Sequence, residues 1–337
     1  MKLSEIGERE LIREIQAWLG AAGPGVSVGI GDDSAVLSLT AGTRLLATTD
    51  LLIEDVHFRR RYAGYADIGW KAIAVNLSDI AAMGGRPRFA LVALASPPEM
   101  TAEDVEALYA GMRAAAAPHD VGIVGGDTCA SPDGLIVNVT LLGEIQGAPR
   151  LRSGARPGDL IAVTGSLGLS AAGLAVLEAG APPGLPPDLV AEVCRAHLRP
   201  TARVAEGIFF GQADGVRAMI DCSDGLVIDL GHLAAASGVG AQVRLDRLPI
   251  PPSVGRVAEA TGRDPAEFAA VGGEDYELLL AITPGALPAL VSGLRSATGT
   301  EVTVIGEIRA PEDGLRFLNA QGRPVALGTG FEHFSGP

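Results

Sequence analysis

The chain is predicted to be α/β of mixed (α+β) character, folded as two domains, 1–148 and 149–337. Three observations predict this. A length of 337 residues is more than one ordinary core accommodates. Short apolar runs of strand type alternate with amphipathic helical patterns in both halves, without the regular repeat of a single βαβ barrel. Between the halves lies 146–158, where Pro149, Gly154, Pro157 and Gly158 interrupt any regular element.

In the first half, the spacing of Leu11, Ile12, Ile15, Trp18 and Leu19 predicts an amphipathic helix over 7–20. Short strands follow at 26–30, 35–39 and 44–48, and the third is expected to end in Thr48-Thr49-Asp50. A long helix over 66–83 puts Asn76 and Asp79 on one face, three residues apart, and Gly84-Gly85 closes it. After a strand at 88–95, Thr101 opens a helix over 101–117, with Asp104 completing an acidic variant of the capping box. A strand at 121–124 is expected to end in Gly125-Gly126-Asp127-Thr128, where glycine lets backbone N–H groups approach a phosphate. A strand at 135–145 completes this half.

The boundary holds Arg150, Arg152 and Arg156, which read either as a solvated basic linker or as a phosphate clamp. A strand at 160–164, the turn Gly165-Ser166-Leu167-Gly168 and a small-residue helix to Ala179 make a strand–turn–helix start suited to an anion. Helices at 188–198 and 201–211 follow, then a strand at 216–220 leading into Asp221-Cys222-Ser223-Asp224 and a helix to Ser237. The remainder reads as a strand at 241–245, helices at 254–261 and 265–271, a strand at 277–282, a helix at 285–298 and strands at 302–307 and 315–318. The segment 328–334 is aromatic with little regular structure.

Composition narrows the chemistry. With 47% hydrophobic and 20% charged residues the chain is that of a soluble globular protein. No apolar run reaches membrane-spanning length, and 1–10 is charged, so neither a membrane span nor an export signal is expected. Cys129, Cys194 and Cys222 are widely spaced and fit neither a disulfide framework nor a zinc site, which suggests a reducing cytoplasm. A net charge of −14 argues against nucleic acid as a partner. Of 26 basic residues only Lys2 and Lys71 are lysines, and no Gly-Lys-Ser/Thr occurs, so a P-loop is excluded. A ligand carrying phosphates would need metal ions or a few arginines as counter-charge.

Six places set carboxylates at the edge of apolar sequence: Asp32-Asp33, Asp50, Asp79, Asp127, the Asp221/Asp224 pair and Glu274-Asp275. Any one of them is more simply a cap or a turn residue. Six together point to an oxygen-rich site for hard cations, Mg²⁺ carrying phosphates. The acidic places are split across the boundary, so a site between the domains is expected. The lone His57 reads as readily as a hydrogen-bonded surface residue as a catalytic one.

The motifs resemble the thiamine-monophosphate kinase family. They are Gly31-Asp32-Asp33 with Ala35, Thr49-Asp50 with His57, Asn76-Leu77-Ser78-Asp79-Ile80-Ala81-Ala82-Met83-Gly84, Gly125-Gly126-Asp127-Thr128, Arg152-Ser153-Gly154-Ala155, Asp221-Cys222-Ser223-Asp224-Gly225-Leu226, Gly272-Gly273-Glu274-Asp275-Tyr276-Glu277-Leu278 and the closing Gly330-Phe331-Glu332-His333-Phe334. Single motifs are shared with the wider aminoimidazole ribonucleotide synthetase-like superfamily; the combination is specific. The resemblance implies that superfamily's two-domain fold, with 1–148 binding ATP and metal and pairing its sheet with a second copy in a homodimer, and 149–337 completing the site. It implies Mg²⁺-dependent transfer from ATP to thiamine monophosphate, giving ADP and thiamine diphosphate, without a covalent phosphoenzyme. By matching positions, Asp33, Thr48, Thr49, Asp50, Asp79, Asp127, Asp221 and Asp224 would handle metals. Gly126, Asp127, Arg152 and Ser223 would contact ATP. His57, Glu274 and Phe331 would face thiamine phosphate. Turnover would depend most on Asp50, Asp127 and Asp221.

Chemistry agrees with that implication. Phosphoryl transfer between two anions needs charge neutralisation and in-line placement more than an unusual side chain. The acceptor is expected to be the phosphate of thiamine monophosphate, which is already anionic and needs no general base. Glu274 or Asp275 can attract the thiazolium cation, and Phe331 either stacks on the ligand or packs the tail. A selenophosphate synthetase is disfavoured, since no cysteine precedes Cys129, and a non-enzymatic scaffold would not keep every acidic motif.

Overall fold

A computed structural model describes residues 3–20, 23–30, 34–328 and 330. It divides into two compact units, Met1–Ile80 with Gly85–Ala148, and Ala81–Gly84 with Pro149–Pro337.

The first unit contains helices α1 (Leu3–Ile6), α2 (Glu8–Leu19), α3 (Tyr65–Ala82) and α4 (Ala102–Ala116). Its strands are β1 (Val26–Val28), β2 (Val36–Leu37), β3 (Arg44–Ile53), β4 (Arg86–Ser96), β5 (Gly122–Ala130) and β6 (Ile136–Ile145). The small β1–β2 pair stands apart from a four-stranded sheet of order β3-β6-β4-β5, antiparallel except where β5 runs parallel to β4. The parallel pair is joined through α4, as a parallel connection requires. α4 starts as its sequence predicts: Thr101 accepts from the Asp104 N–H, and the Asp104 carboxylate accepts from the Thr101 N–H at 2.9 Å.

Period-two burial runs along β6, where Val137, Val139 and Leu141 are buried and Asn138 and Thr140 are not. The buried set joins Ile73, Leu77 and Ile80 of α3 and Leu108 and Met112 of α4 among the large apolar groups removed from water. α3 and α4 cross backbone to backbone. A Cβ on Gly69 would stand 1.9 Å from the Leu108 carbonyl oxygen, and one on Gly111 would stand 1.9 Å from that of Ala66.

The sequence pattern placed two strand ends too early. β3 continues past Thr48 to Ile53 because Leu51, Leu52 and Ile53 keep pairing with Asn138, Val137 and Ile136. Asp50 is therefore inside a strand, not after one. β5 likewise runs through Gly125-Gly126-Asp127-Thr128, which pair with Leu91, Val92, Ala93 and Leu94. Glycine weakens a strand as a local pattern, and here the ladder overrides it.

The second unit contains β7 (Leu160–Thr164), β8 (Val216–Asp221), β9 (Gly240–Arg244), β10 (Leu278–Ile282), β11 (Val302–Arg309) and β12 (Leu315–Leu318). Its helices are α5 (Leu169–Ala179), α6 (Pro187–Leu198), α7 (Val204–Gln212), α8 (Leu226–Ser237), α9 (Pro252–Thr261), α10 (Pro265–Val271) and α11 (Leu287–Thr298). The six strands form one sheet, β12-β9-β11-β7-β10-β8, antiparallel except for β12 beside β9. β10 is apolar at every position because both its faces are covered. Leu279 and Ala281 face a core with Leu226 and Leu230 of α8, and Leu278, Leu280 and Ile282 face another with Phe210 of α7 and Leu294 of α11. A third cluster joins α5, α6, α9 and α10 through Val176, Val193, Val257 and Phe268.

Gly111→Ala should destabilise the first unit by roughly 2 kcal/mol or more, because the added methyl must push two helix backbones apart. Urea unfolding of the variant checks this; an unchanged midpoint would show that the crossing can relax freely.

Candidate active site

In the first unit the acidic motifs sit on one helix and two strands. Thr48 Oγ1 donates to Asp79 Oδ2 of α3 in a short contact. Thr48 and Asp50 pair with the buried Leu141 and Val139, so both side chains point to the sheet face that carries the core. Thr49 points the other way: its Oγ1 lies 3.0 Å from Thr140 Oγ1 and accepts from Asn138 Nδ2 at 3.0 Å. Asn138 Nδ2 also donates to the Asp50 carbonyl at 2.9 Å. Asp127 pairs with Ala93, which pairs with Asn138, so the register puts Asp127 on the face of Thr49 and opposite to that of Asp50. The five first-unit residues expected at metals and described here thus divide between two faces: Thr48, Asp50 and Asp79 on one, Thr49 and Asp127 on the other.

Asn76, on the helix face it shares with Asp79, is fully buried and donates back to the Ala72 carbonyl at 3.0 Å within its own helix. Gly126 also has a reason within the sheet to be glycine. A Cβ there would stand 1.8 Å from the Val92 carbonyl oxygen, so the residue permits β4 and β5 to approach. His57 Nδ1 accepts the Ile53 N–H at 3.0 Å, which puts the proton of the neutral ring on Nε2. Beside it, Glu54 is held by Arg60 Nε at 2.5 Å and by the Leu135 N–H at 2.8 Å.

In the second unit two loops are bound to each other. The N–H of Glu274 donates to the Ser223 carbonyl at 2.7 Å, that of Tyr276 to the Cys222 carbonyl at 2.9 Å, and that of Cys222 to the Glu277 carbonyl at 2.7 Å. These bonds bring Asp221-Cys222-Ser223-Asp224 beside Gly272-Gly273-Glu274-Asp275. Glu274 and Tyr276 have φ of 63° and 52°, a left-handed backbone that side chains seldom adopt and that the loop pairing sustains.

Each carboxylate here has its own surroundings. Asp275 accepts from the N–H groups of Gly168 at 2.6 Å and Ser170 at 3.2 Å, at the start of α5. The anion site predicted at that helix start is therefore filled by the chain's own carboxylate. Burial pushes Asp275 up to about 7, against those two N–H groups and with Glu277 and Glu274 adding to the rise. Asp229 accepts from the N–H groups of Asp224 at 3.2 Å and Gly225 at 3.0 Å and so shapes the turn. It is pushed up to about 8 by burial and then by the charges of Asp221 and Asp224. The sequence pattern did not single it out, since an acid in the first turn of a helix is ordinary; its burial is visible only in the fold. The buried Cys222 thiol is held well above its usual value, chiefly by burial and then by the charge of Asp229.

Of the boundary arginines, Arg150 is no phosphate clamp. Its guanidinium donates to the carbonyls of Phe210 at 3.0 Å, Val216 at 3.0 Å and Ala213 at 2.6 Å. Arg152 is exposed. Among the described residues no three His, Cys, Asp or Glu side chains converge on a metal position. Asp32, Asp33 and Phe331, all named above from the sequence, lie outside the described residues. The donor set that is described consists of carboxylate and hydroxyl oxygens, the chemistry of a hard divalent cation.

Comparison with known proteins gives this arrangement a family. Residues 31–145 match the family described as AIR synthase related protein, N-terminal domain, and 156–316 match its C-terminal domain. Thiamine-monophosphate kinase of Bacillus subtilis (strain 168) is 37% identical over 314 residues, covering 92% of this chain and 94% of that protein. The chain belongs to the thiamine-monophosphate kinase family. Two solved structures of that family extend the likeness to the fold. The crystal structure of thiamine-monophosphate kinase from Stenotrophomonas maltophilia K279a has a TM-score of 0.81 at 37% identity, over 94% of this chain and 96% of that one. AaThiL complexed with AMPPCP and TMP has a TM-score of 0.76 at 34% identity, over 99% of both chains. The two-domain α/β architecture predicted from the sequence is thus that of the thiamine-monophosphate kinases and of their superfamily.

An unfolded aspartate titrates at about pH 4, and burial pushes Asp275 up to about 7. Between those values the folded chain keeps a proton that the unfolded chain has lost, so this group's contribution to stability falls as pH rises through that window and is flat above it. Urea unfolding of the metal-free chain at several pH values should show that decline. It should be shallower in Asp275→Asn; an identical slope in the variant would refute the assignment.

Proposed function

We infer that this chain transfers the γ-phosphate of ATP to thiamine monophosphate, giving thiamine diphosphate and ADP. The observation that carries this is the likeness, at 34% identity over 99% of both chains, to AaThiL complexed with AMPPCP and TMP. In this reading Mg²⁺ neutralises the facing phosphates and polarises the group in transfer. Thr48, Asp50, Asp79, Asp221 and Asp224, with Asp33, Thr49 and Asp127, supply its oxygen ligands. Asp221, Asp224 and Asp229 stand close together at one turn, and neighbouring carboxylates are relieved by a cation or a proton. Gly126, Asp127, Arg152 and Ser223 contact ATP, with Asp50, Asp127 and Asp221 the residues on which turnover depends.

His57 offers the Nε2 proton of a neutral ring to the acceptor phosphate, because its Nδ1 is taken by the Ile53 N–H. Glu274 faces the cationic thiazolium and Phe331 its aromatic ring. No side chain need remove a proton from the acceptor, since a phosphate oxygen is already anionic. The enzyme acts as a homodimer paired through the first unit: Leu45 and Leu51 of β3, about half exposed, form an apolar strip on an edge strand that a second copy would cover. The first unit carries ATP, metal and dimer contacts, and the second completes the site. Three free cysteines suit a reducing cytoplasm, and among the described residues no helix is long and apolar enough to cross a membrane.

ATP consumption by the purified chain should require added thiamine monophosphate and Mg²⁺, and thiamine in its place should give no product above background. Efficient phosphorylation of free thiamine would overturn the acceptor. Asp50→Asn and Asp127→Asn should each lower turnover by on the order of a hundredfold or more with thermal unfolding unchanged; wild-type rates would remove those residues from the site. Phe331→Ala should raise KM for thiamine monophosphate more than for ATP, and equal damage to both would reduce Phe331 to packing.

A further inference from the structure

We propose that His197, backed by Ser170, is a positioning residue that fixes the Glu274 carboxylate before substrate arrives. The proposal rests on the reading that Glu274 faces thiamine phosphate. Glu274 has its backbone fixed, at φ 63° with its N–H bound to Ser223, but nothing in that backbone sets the direction of a side chain with three torsions. His197 supplies the direction. It lies in the last turn of α6, is 3% exposed, and its Nδ1 stands 3.1 Å from Glu274 Oε2. An ionised carboxylate only accepts, so a hydrogen bond between the two requires the proton on Nδ1. The same nitrogen lies 3.0 Å from Ser170 Oγ in the first turn of α5.

Because one nitrogen serves both neighbours, the trio is not a nucleophilic serine relay, which uses both ring nitrogens. It is a bracket. Ser170 is itself anchored through its N–H to Asp275 Oδ1 at 3.2 Å, the residue next to Glu274. The first turn of α5, the last turn of α6 and the 272–277 loop therefore meet at the imidazole. The Glu274 side chain keeps 26% of its surface exposed while the ring behind it is buried, so the carboxylate is held from inside and open outward. A carboxylate ordered in advance spares the ligand the cost of ordering it.

The test is steady-state kinetics of the full-length chain at saturating Mg²⁺, with thermal unfolding of each variant. His197→Leu should raise KM for thiamine monophosphate by about fivefold or more and leave KM for ATP within about twofold. His197→Asn, whose amide N–H can take the place of Nδ1–H, should restore most of the loss. In a Glu274→Gln background His197→Leu should add less than about twofold, since the carboxylate it positions is gone. Where His197→Leu fails to fold, Ser170→Ala carries the test, with a rise of about two- to threefold in the same KM alone. Unchanged KM values, equal rises for both substrates, or no rescue by asparagine overturn the positioning role. A Glu274→Gln variant with unchanged KM for thiamine monophosphate overturns instead the substrate role beneath it.

Discussion

Glu277 is the constraint on which the second unit's chemistry depends. It is a carboxylate with 4% of its surface exposed, and a charge so far from water persists only when fully paired. Arg203 grips it with Nε at 2.7 Å and Nη2 at 2.6 Å, Thr164 Oγ1 donates at 2.7 Å and the Ser166 N–H at 3.2 Å. Those partners come from the end of β7, the turn after it and the approach to α7. Removing the carboxylate would leave the half-buried Arg203 guanidinium with only the more distant Glu206, at 3.7 Å, and removing the arginine would take the ionic partner from a buried acid. The network fixes where β10 begins, and so where the preceding loop must lie.

That loop then has little freedom. Its backbone is bound to Cys222 and Ser223 on one side, and Asp275 spends its carboxylate on the first turn of α5. The two residues with left-handed backbone, Glu274 and Tyr276, flank Asp275. Strain of that kind is held where neighbouring bonds over-determine the chain. The loop's other acids, Asp275 and Glu277, are tied to the first turn of α5 and to Arg203, while the Glu274 side chain keeps 26% of its surface exposed. Adjacent acids in one motif therefore have different work: Asp275 and Glu277 build the loop, and Glu274 is presented by it.

The first unit solves a different problem. Its acidic motifs lie on α3 and on two strands of one sheet, and the pleat sends Thr48 and Asp50 to one face and Thr49 and Asp127 to the other. Sequence neighbours such as Thr49 and Asp50 cannot share a face while the ladder is regular. A protein with net charge −14 that handles polyphosphate needs cations among these oxygens. Lysine is scarce, and of the boundary arginines Arg150 is used on backbone carbonyls.

The sequence by itself determined the class of the fold, nearly every helix and strand, the motifs that carry the family and the identity of the acids. Those properties live in local periodicity, capping and short spacing: the Thr101–Asp104 box and the apolar stripe of α2 depend on residues within a few positions of each other. Tertiary structure alone decided what surrounds each described acid. Strand ends at Asp50 and Asp127 were misplaced because a ladder with a distant strand outweighs a local glycine or threonine signal. The helix-start anion site was real, but its anion, Asp275, lies more than a hundred residues along the chain. Asp229, His197 and Ser170 carry no motif and look like ordinary helix residues until burial removes water from around them. Burial and long-range pairing are properties of the folded chain, and a carboxylate's role is set by how many donors and how much water remain around it.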